Sequence, residues 1–192
     1  MSDRRVSVVI LAGGRSSRFG RDKLAEQIDG RSLLSHAIDS VRPMATEVVV
    51  VTAPDAAPSV PPDVRLVHDE VGFEGPLAGA RTGIEAASES IVVVVGGDMP
   101  DLVVAVLGSM VAALEGFDVV VLEVDGRPRP LPMVVRRGPA LEAADRLLGH
   151  GERRLRALVE TLATHIIGES TWRPLDPDGR TLRDIDTPAD RA

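Results

Sequence analysis

The chain alternates two kinds of segment: continuous apolar runs, and stretches in which apolar residues recur every three or four positions. Runs at residues 6–11, 47–52, 91–95 and 118–123 are bounded by polar or turn residues, the pattern of strands buried on both faces of a parallel sheet. Between them lie helical patterns. Residues 32–41 put Leu33, Leu34, Ala37, Ile38 and Val41 on one face, behind a serine suited to cap the helix. Residues 76–87 and 101–114 read as helices too. A weaker strand at 64–68 follows the loop APDAAPSVPPD, whose four prolines suit an exposed connection.

This alternation predicts an α/β fold: a three-layer α/β/α sandwich with a mostly parallel central sheet and right-handed crossovers. The second half is less regular. It reads as a strand at 133–136, helices at 141–148 and 152–162, a strand at 164–168 and then a polar tail, all expected to complete the same sheet. RPRPLP, at 127–132, reads as a loop facing a substrate. In open α/β sheets, ligands sit beyond the carboxyl ends of the strands.

Composition narrows the function classes. With 192 residues and 44% hydrophobic content, the chain suits one core and is short for two, so 1–192 reads as a single domain. A net charge of −7 with 2% aromatic residues argues against a nucleic-acid surface, which needs clustered positive charge and stacking rings. The absence of cysteine removes a disulfide framework, a thiolate zinc site and a cysteine nucleophile, and fits the cytoplasm. No segment approaches a membrane span or a signal-peptide core, so no membrane partner is expected. Of the 22 basic residues only Lys23 is lysine, and asparagine is absent, so side-chain amides contribute almost nothing to ligand recognition.

Three stretches carry candidate chemistry. The first run leads into LAGGRSSRFGRDK, where Gly13, Gly14 and Gly20 let backbone N–H groups converge on an anion and Arg15, Arg18, Arg21 and Lys23 surround it with positive charge. That is a phosphate cradle. Neither G-x-G-x-x-G nor G-x-x-x-x-G-K-[ST] is present, so it is not a dinucleotide or P-loop cradle. The second stretch is IVVVVGGDMPDL: Asp98, at the end of the most apolar run, stands where a hard cation bridging a phosphate is held, or where the next helix is capped. In the third, HDEVGFEGPLAG, Asp69 follows a strand, and Gly75, Pro76 and Gly79 bring a loop close to a helix start, suited to a base or ribose edge.

Leu11, Ala12, Gly13, Gly14, Ser16, Arg18, Gly20 and Lys23 match the nucleotidyltransferase signature L-A-G-G-x-S-x-R-x-G followed by a lysine. With GPLAG at 75–79, GGDMPDL at 96–102, GERR at 151–154 and DIDTP at 184–188, the chain resembles the molybdenum cofactor guanylyltransferases, of the nucleotide-diphospho-sugar transferase type. The resemblance implies transfer of GMP from GTP to the terminal phosphate of molybdopterin, with Mg²⁺ as cofactor. It implies that Leu11, Ala12, Gly13, Gly14, Lys23, Asp69 and Asp98 bind the nucleotide, that Asp98 holds the metal, and that Lys23, Arg18 and Asp98 are catalytic. Residues 1–116 then form a nucleotide-binding half and 117–192 an acceptor-binding half, with room for transient contact with proteins that deliver or receive the cofactor.

Two departures stand out. The family's asparagine after its second strand is replaced within VTAPD, by Ala53 or a neighbour, and its N-x-N-T-P motif reads DIDTP here. Asp184 and Asp186 are candidates for a second metal ligand or for a helix cap. Arg153 and Arg154 are candidates for the pterin phosphate or for a solvated helical face. A cytidylyltransferase or sugar-phosphate nucleotidyltransferase on the same scaffold, and a nucleotide sensor without turnover, are the alternative functions.

Overall fold

The computed structural model describes residues 5–13, 27–28, 30–69 and 75–185. Its centre is a seven-stranded sheet in the order β5-β4-β1-β6-β8-β7-β9, where β1 is Ser7–Leu11, β4 Glu47–Thr52, β5 Arg65–His68, β6 Ile91–Gly96, β7 Val119–Val124, β8 Arg127–Arg136 and β9 Thr164–Ile167. A separate pair of two-residue strands, β2 (Gln27–Ile28) and β3 (Arg31–Ser32), precedes α1. Within the large sheet β8 alone runs antiparallel to its neighbours, so the sheet is mostly parallel, as the apolar runs predict.

Each face of this sheet is apolar because the strands are valine-rich at consecutive positions, and each face is covered by helices. One face packs α1 (Leu33–Val41) and α3 (Val104–Ala112) through Leu34, Ile38, Leu107 and Met110 onto Val8, Ile10, Val93 and Val95. The other packs α2 (Pro76–Ala86), α4 (Arg137–Gly149) and α5 (Arg156–Thr161) through Leu77, Ile84, Ala144 and Leu158 onto Val9, Val51, Val92 and Val94. Full burial of such a side chain contributes roughly 1.5–3 kcal/mol, which explains why unbroken apolar runs choose the doubly covered positions. Ser32 caps α1 by accepting the Ser35 N–H at 3.1 Å, as its place in the sequence predicts.

Three expectations are corrected. RPRPLP is strand, not loop: Asp125 and Gly126, with φ of 49° and 70°, make the tight turn of a hairpin whose second strand is β8. Residues 127–129 pair with β7 alone, because pairing with β6 begins only at Met133, so the prolines sit where no second neighbour needs their missing N–H. The helix expected from 101 begins at Val104 instead, behind Val103. Finally, the polar tail is structured: α6 (Glu169–Trp172) buries Trp172 to 1% exposure against the α3 side of the sheet, and a 3-10 turn follows at Arg180–Leu182.

Candidate active site

Site residues gather at the carboxyl ends of β1, β4, β5 and β6. The Gly97 N–H donates to the Leu11 carbonyl at 3.0 Å and the Ala12 N–H to the Val51 carbonyl at 2.7 Å, so the start of the glycine-rich loop is bonded to the strand on either side. Gly13 follows in close backbone approach: a Cβ there would lie 3.3 Å from the Ala53 nitrogen. Gly14, Arg15, Arg18, Gly20, Arg21 and Lys23 lie outside the described residues, as does Asp186.

Asp98 stands in the turn after β6, where the Met99 N–H returns to the Gly96 carbonyl at 3.3 Å. Its Oδ1 lies 2.5 Å from where a Gly96 Cβ would be, so the carboxylate folds over the strand end in space that only glycine leaves open. Because α3 starts behind Val103, Asp98 does not cap that helix. The alternative reading from sequence is thereby removed.

Asp69 is held from two elements. Its N–H donates to the Thr52 carbonyl at 2.8 Å, and the Thr82 hydroxyl of α2 lies 3.4 Å from its Oδ1. It lines a cleft of about 760 Å³ at the sheet edge, between β5, α2 and the end of α4, with Arg65, Arg81 and Leu148 among the walls. Asp98 is not part of that cleft. Strands lie about 4.7–4.9 Å apart, and β6 and β5 are separated by β1 and β4, so the strand ends that precede Asp98 and Asp69 are roughly 14 Å apart across the sheet.

The GERR turn closes the other side of the α2 start. Leu77 N–H donates to the Arg153 carbonyl at 3.2 Å, and Gly75, at φ 96°, passes so close that a Cβ would sit 2.8 Å from that oxygen. Glu152 builds the turn, accepting from the Arg153 and Arg154 backbone N–H groups at 2.8 and 2.9 Å and from the Arg154 guanidinium at 2.7 Å. The Arg154 side chain, then these N–H bonds, hold the Glu152 carboxyl down at about 2. Arg153 turns its guanidinium to the Leu148 and Glu152 carbonyls. Both arginines therefore lie in a self-bonded turn ahead of α5, not on a helical face. Asp184 lies 3.7 Å from Arg129 on β8. Thr82 and Glu152 were not among the residues singled out from sequence; Thr82 was visible there as a polar residue inside an apolar helical pattern.

The MobA-like NTP transferase domain model matches residues 8–166, spanning β1 to β9. The chain belongs to that family. It is a nucleotidyltransferase. A probable molybdenum cofactor guanylyltransferase from Chloroflexus aggregans is 34% identical over 192 residues, covering 96% of this chain and 91% of the relative. The molybdenum cofactor guanylyltransferase of Desulfosudis oleivorans is 31% identical over 189 residues, with 95% and 90% covered. Among solved structures, molybdopterin-guanine dinucleotide biosynthesis protein A from Archaeoglobus fulgidus aligns with a TM-score of 0.79 at 20% identity, over 96% of this chain and 94% of that one. The 2-C-methyl-D-erythritol 4-phosphate cytidylyltransferase of Thermus thermophilus gives 0.74 at 21%, over 97% and 95%. These two likenesses establish the fold that the NTP transferase shares with both.

Proposed function

We propose that this NTP transferase moves GMP from GTP to the terminal phosphate of molybdopterin, releasing pyrophosphate, with Mg²⁺ held at Asp98. One observation carries the reading: the bond from Gly97 to Leu11 sets the glycine-rich run and Asp98 side by side at the carboxyl ends of adjacent parallel strands. The names of the Chloroflexus and Desulfosudis relatives support guanine and the molybdenum cofactor as the two substrates.

Asp98 suits Mg²⁺ by the chemistry of its donors. It is a partly exposed hard-oxygen ligand, and among the described residues no group of three or more His, Asp or Glu could enclose an ion. Mg²⁺ commonly takes one or two carboxylates and completes its octahedron with substrate phosphate and water. When bound, it would neutralise charge on the phosphate oxygens.

In this mechanism the backbone of Leu11, Ala12, Gly13 and Gly14 receives guanine and phosphates, and Asp69 contacts the base or ribose edge. Lys23 and Arg18 offset charge gathering on the α-phosphorus and on departing pyrophosphate. The acceptor phosphate oxygen attacks the α-phosphorus in line, its P–O bond forming as the bond to pyrophosphate breaks, without a covalent enzyme intermediate. Residues 117–192 supply the acceptor side. Among the described residues no helix is long and apolar enough to cross a membrane. A cytoplasmic site of action, with transient docking of cofactor-delivering or cofactor-receiving proteins, belongs to the same proposal.

The test is a thermal-shift panel of GTP, CTP, ATP and UTP with Mg²⁺. A ligand at a hundredfold excess over its Kd adds about 2.7 kcal/mol, or roughly 5 to 10 °C for a chain of this size. GTP gives the largest shift; a larger one with CTP at matched saturation overturns guanine. Asp98→Asn then abolishes pyrophosphate release while circular dichroism stays native, whereas loss of the fold would make Asp98 structural. Lys23→Arg loses roughly a hundredfold in rate, because a compact ammonium and a planar guanidinium do not present charge alike. A near-normal rate would remove Lys23 from the chemistry.

A further inference from the structure

The carboxyl-terminal segment reaches back across the fold to the turn that carries Asp98. The Ile185 N–H, in a residue 3% exposed, donates to the Asp98 carbonyl at 3.1 Å. The Thr181 hydroxyl, fully buried, accepts the Val103 N–H at 3.2 Å at the far end of the same turn. Arg183 lies 3.8 Å from Asp101 between them. The near end of the turn is fixed to β1 by the bond from Gly97 to Leu11. Met99 and Leu102, buried at 2% and 5%, pin it to the core.

What holds the segment in this shape is Asp176, 1% exposed and the most buried carboxylate among the described residues. Its two oxygens accept the Thr181 N–H at 2.7 Å and the Arg180 N–H at 3.0 Å, drawing the 3-10 turn into place. Burial pushes its carboxyl upward, but those bonds and the Arg180 charge pull it below its ordinary value. The segment is anchored on its other side by Trp172, whose indole N–H donates to the Glu123 carbonyl of β7 at 3.0 Å. A buried carboxylate spent on backbone N–H groups is costly to desolvate, and it is retained where a single main-chain geometry is required.

We infer that Asp176 and Thr181 are positioning residues for Asp98, forming a clasp by which the carboxyl-terminal segment fixes the main chain of the metal-holding turn. The inference rests on the reading of Asp98 as the Mg²⁺ ligand. The clasp never touches substrate; it acts by limiting where the Asp98 carboxylate can point. Freeing one end of the turn spreads Asp98 over more orientations, and metal affinity falls by the population lost from the competent one.

The experiment titrates Mn²⁺, a paramagnetic stand-in for Mg²⁺, into the full chain with the α,β-methylene analogue of GTP, and reads free Mn²⁺ by electron paramagnetic resonance. Thr181→Val keeps shape and loses the hydroxyl acceptor, so Mn²⁺ affinity falls about tenfold, the worth of one ordinary hydrogen bond. Thr181→Ser restores it to within about twofold of the parent. Asp176→Asn, whose amide can accept with only one of its two former oxygens, falls at least as far, and Asp178→Asn, exposed in the same turn, is unchanged. Native circular dichroism of Thr181→Val is checked alongside. If Thr181→Val and Asp176→Asn bind Mn²⁺ like the parent while Asp98→Asn has lost it, the clasp is overturned and the Asp98 reading stands. Equal losses in Thr181→Val and Thr181→Ser also overturn it, since the hydroxyl is then not the cause. If Asp98→Asn itself binds Mn²⁺ normally, the metal reading fails and takes the clasp with it.

Discussion

Two glycines in helices, Gly83 and Gly108, should respond to alanine with opposite signs, and the difference measures how tightly α2 lies on the sheet. In a helix interior alanine is favoured over glycine by about 0.8–1.0 kcal/mol. At Gly108, exposed on α3 with nothing within 4 Å of the added methyl, that gain stands alone. At Gly83 the methyl would fall 2.3 Å from Val9 Cγ1 and 2.8 Å from Val51 Cγ2, where carbon atoms ordinarily keep about 3.5–4.0 Å. Val9 and Val51 are 0% and 2% exposed, and valine is stiff about χ1, so the helix must lift by about 1 Å. Overpacking of this kind typically costs 1–3 kcal/mol, and a 2.3 Å approach belongs at the upper end. The net is about 2 kcal/mol against Gly83→Ala, and about 3 kcal/mol between the two variants. At roughly 2–4 °C per kcal/mol, their thermal midpoints differ by about 6 to 12 °C, measured by circular dichroism and checked by urea denaturation. In a Val9→Ala background the Gly83→Ala penalty shrinks, because the two changes share one space. A Gly83→Ala midpoint at or above that of Gly108→Ala would refute the close approach, and with it the placement of Thr82 against Asp69.

Gly75→Ala meets both a left-handed φ of 96° with ψ 174° and the Arg153 carbonyl at 2.8 Å, so it loses roughly 2–4 kcal/mol from strain and the Leu77 bond, read as a lower urea midpoint. Unchanged stability would mean the GERR turn does not press on α2. The Glu152 carboxyl, held at about 2 against an ordinary 4.5, contributes stability that is complete above the ordinary value and is lost as pH falls toward 2. The gap in urea midpoint between the parent and Glu152→Gln is therefore open at neutral pH and closes on acidification; a gap constant with pH refutes the assignment. Asp69→Asn and Asp98→Asn, beyond strand ends roughly 14 Å apart across the sheet, should combine additively in the free energy from kcat/KM, within about 0.5 kcal/mol, and a larger coupling would mean they act on one group.

The sheet was legible because its strands are buried on both faces, which forces unbroken apolar runs such as EVVVVT and IVVVVG. Their observed bounds agree with expectation to within about one residue. Segments buried on one side, or paired on one edge, left weaker traces. In β8 the prolines of RPRPLP suggest a loop until the hairpin turn at Asp125 and Gly126 is recognised, and that turn was written in the sequence as Asp-Gly between apolar runs. The tail is polar by composition, yet its fold depends on one tryptophan and on buried Asp176 and Thr181, which no periodicity announces. Leu11, Gly13, Asp69 and Asp98 were singled out because strand ends are marked by abrupt loss of hydrophobicity, and the structure puts all four at or just beyond such ends. Thr82 acts through Asp69, on another element, and Glu152 through a turn local to GERR; hydrophobic periodicity marks neither contact.

Why the glycine-rich run and Asp98 meet follows from the order of the strands. From β1 the chain moves outward to β4 and β5, then returns past β1 to lay β6 on its other side, so the direction of winding reverses at β1. The connection before β4 packs α1 on one face of the sheet, and the connection before β6 packs α2 on the opposite face. The reversal leaves β1 and β6 as neighbours at the carboxyl edge of the sheet, where the crevice of open α/β sheets binds ligands. Leu11, Ala12 and Gly13 emerge on one side of that crevice and Gly97 and Asp98 on the other, bridged by the bond from Gly97 to Leu11. Asp69 follows β5, two strands from β1 toward the edge, and on the proposed reading meets the base or ribose end of the nucleotide and not its phosphates. On the proposed reading, strand order separates the place where charge is handled from the place where a base is read. Substitutions that tune nucleotide choice are expected around β5 and α2, while those that abolish transfer belong to β1, β6 and the clasp behind Asp98.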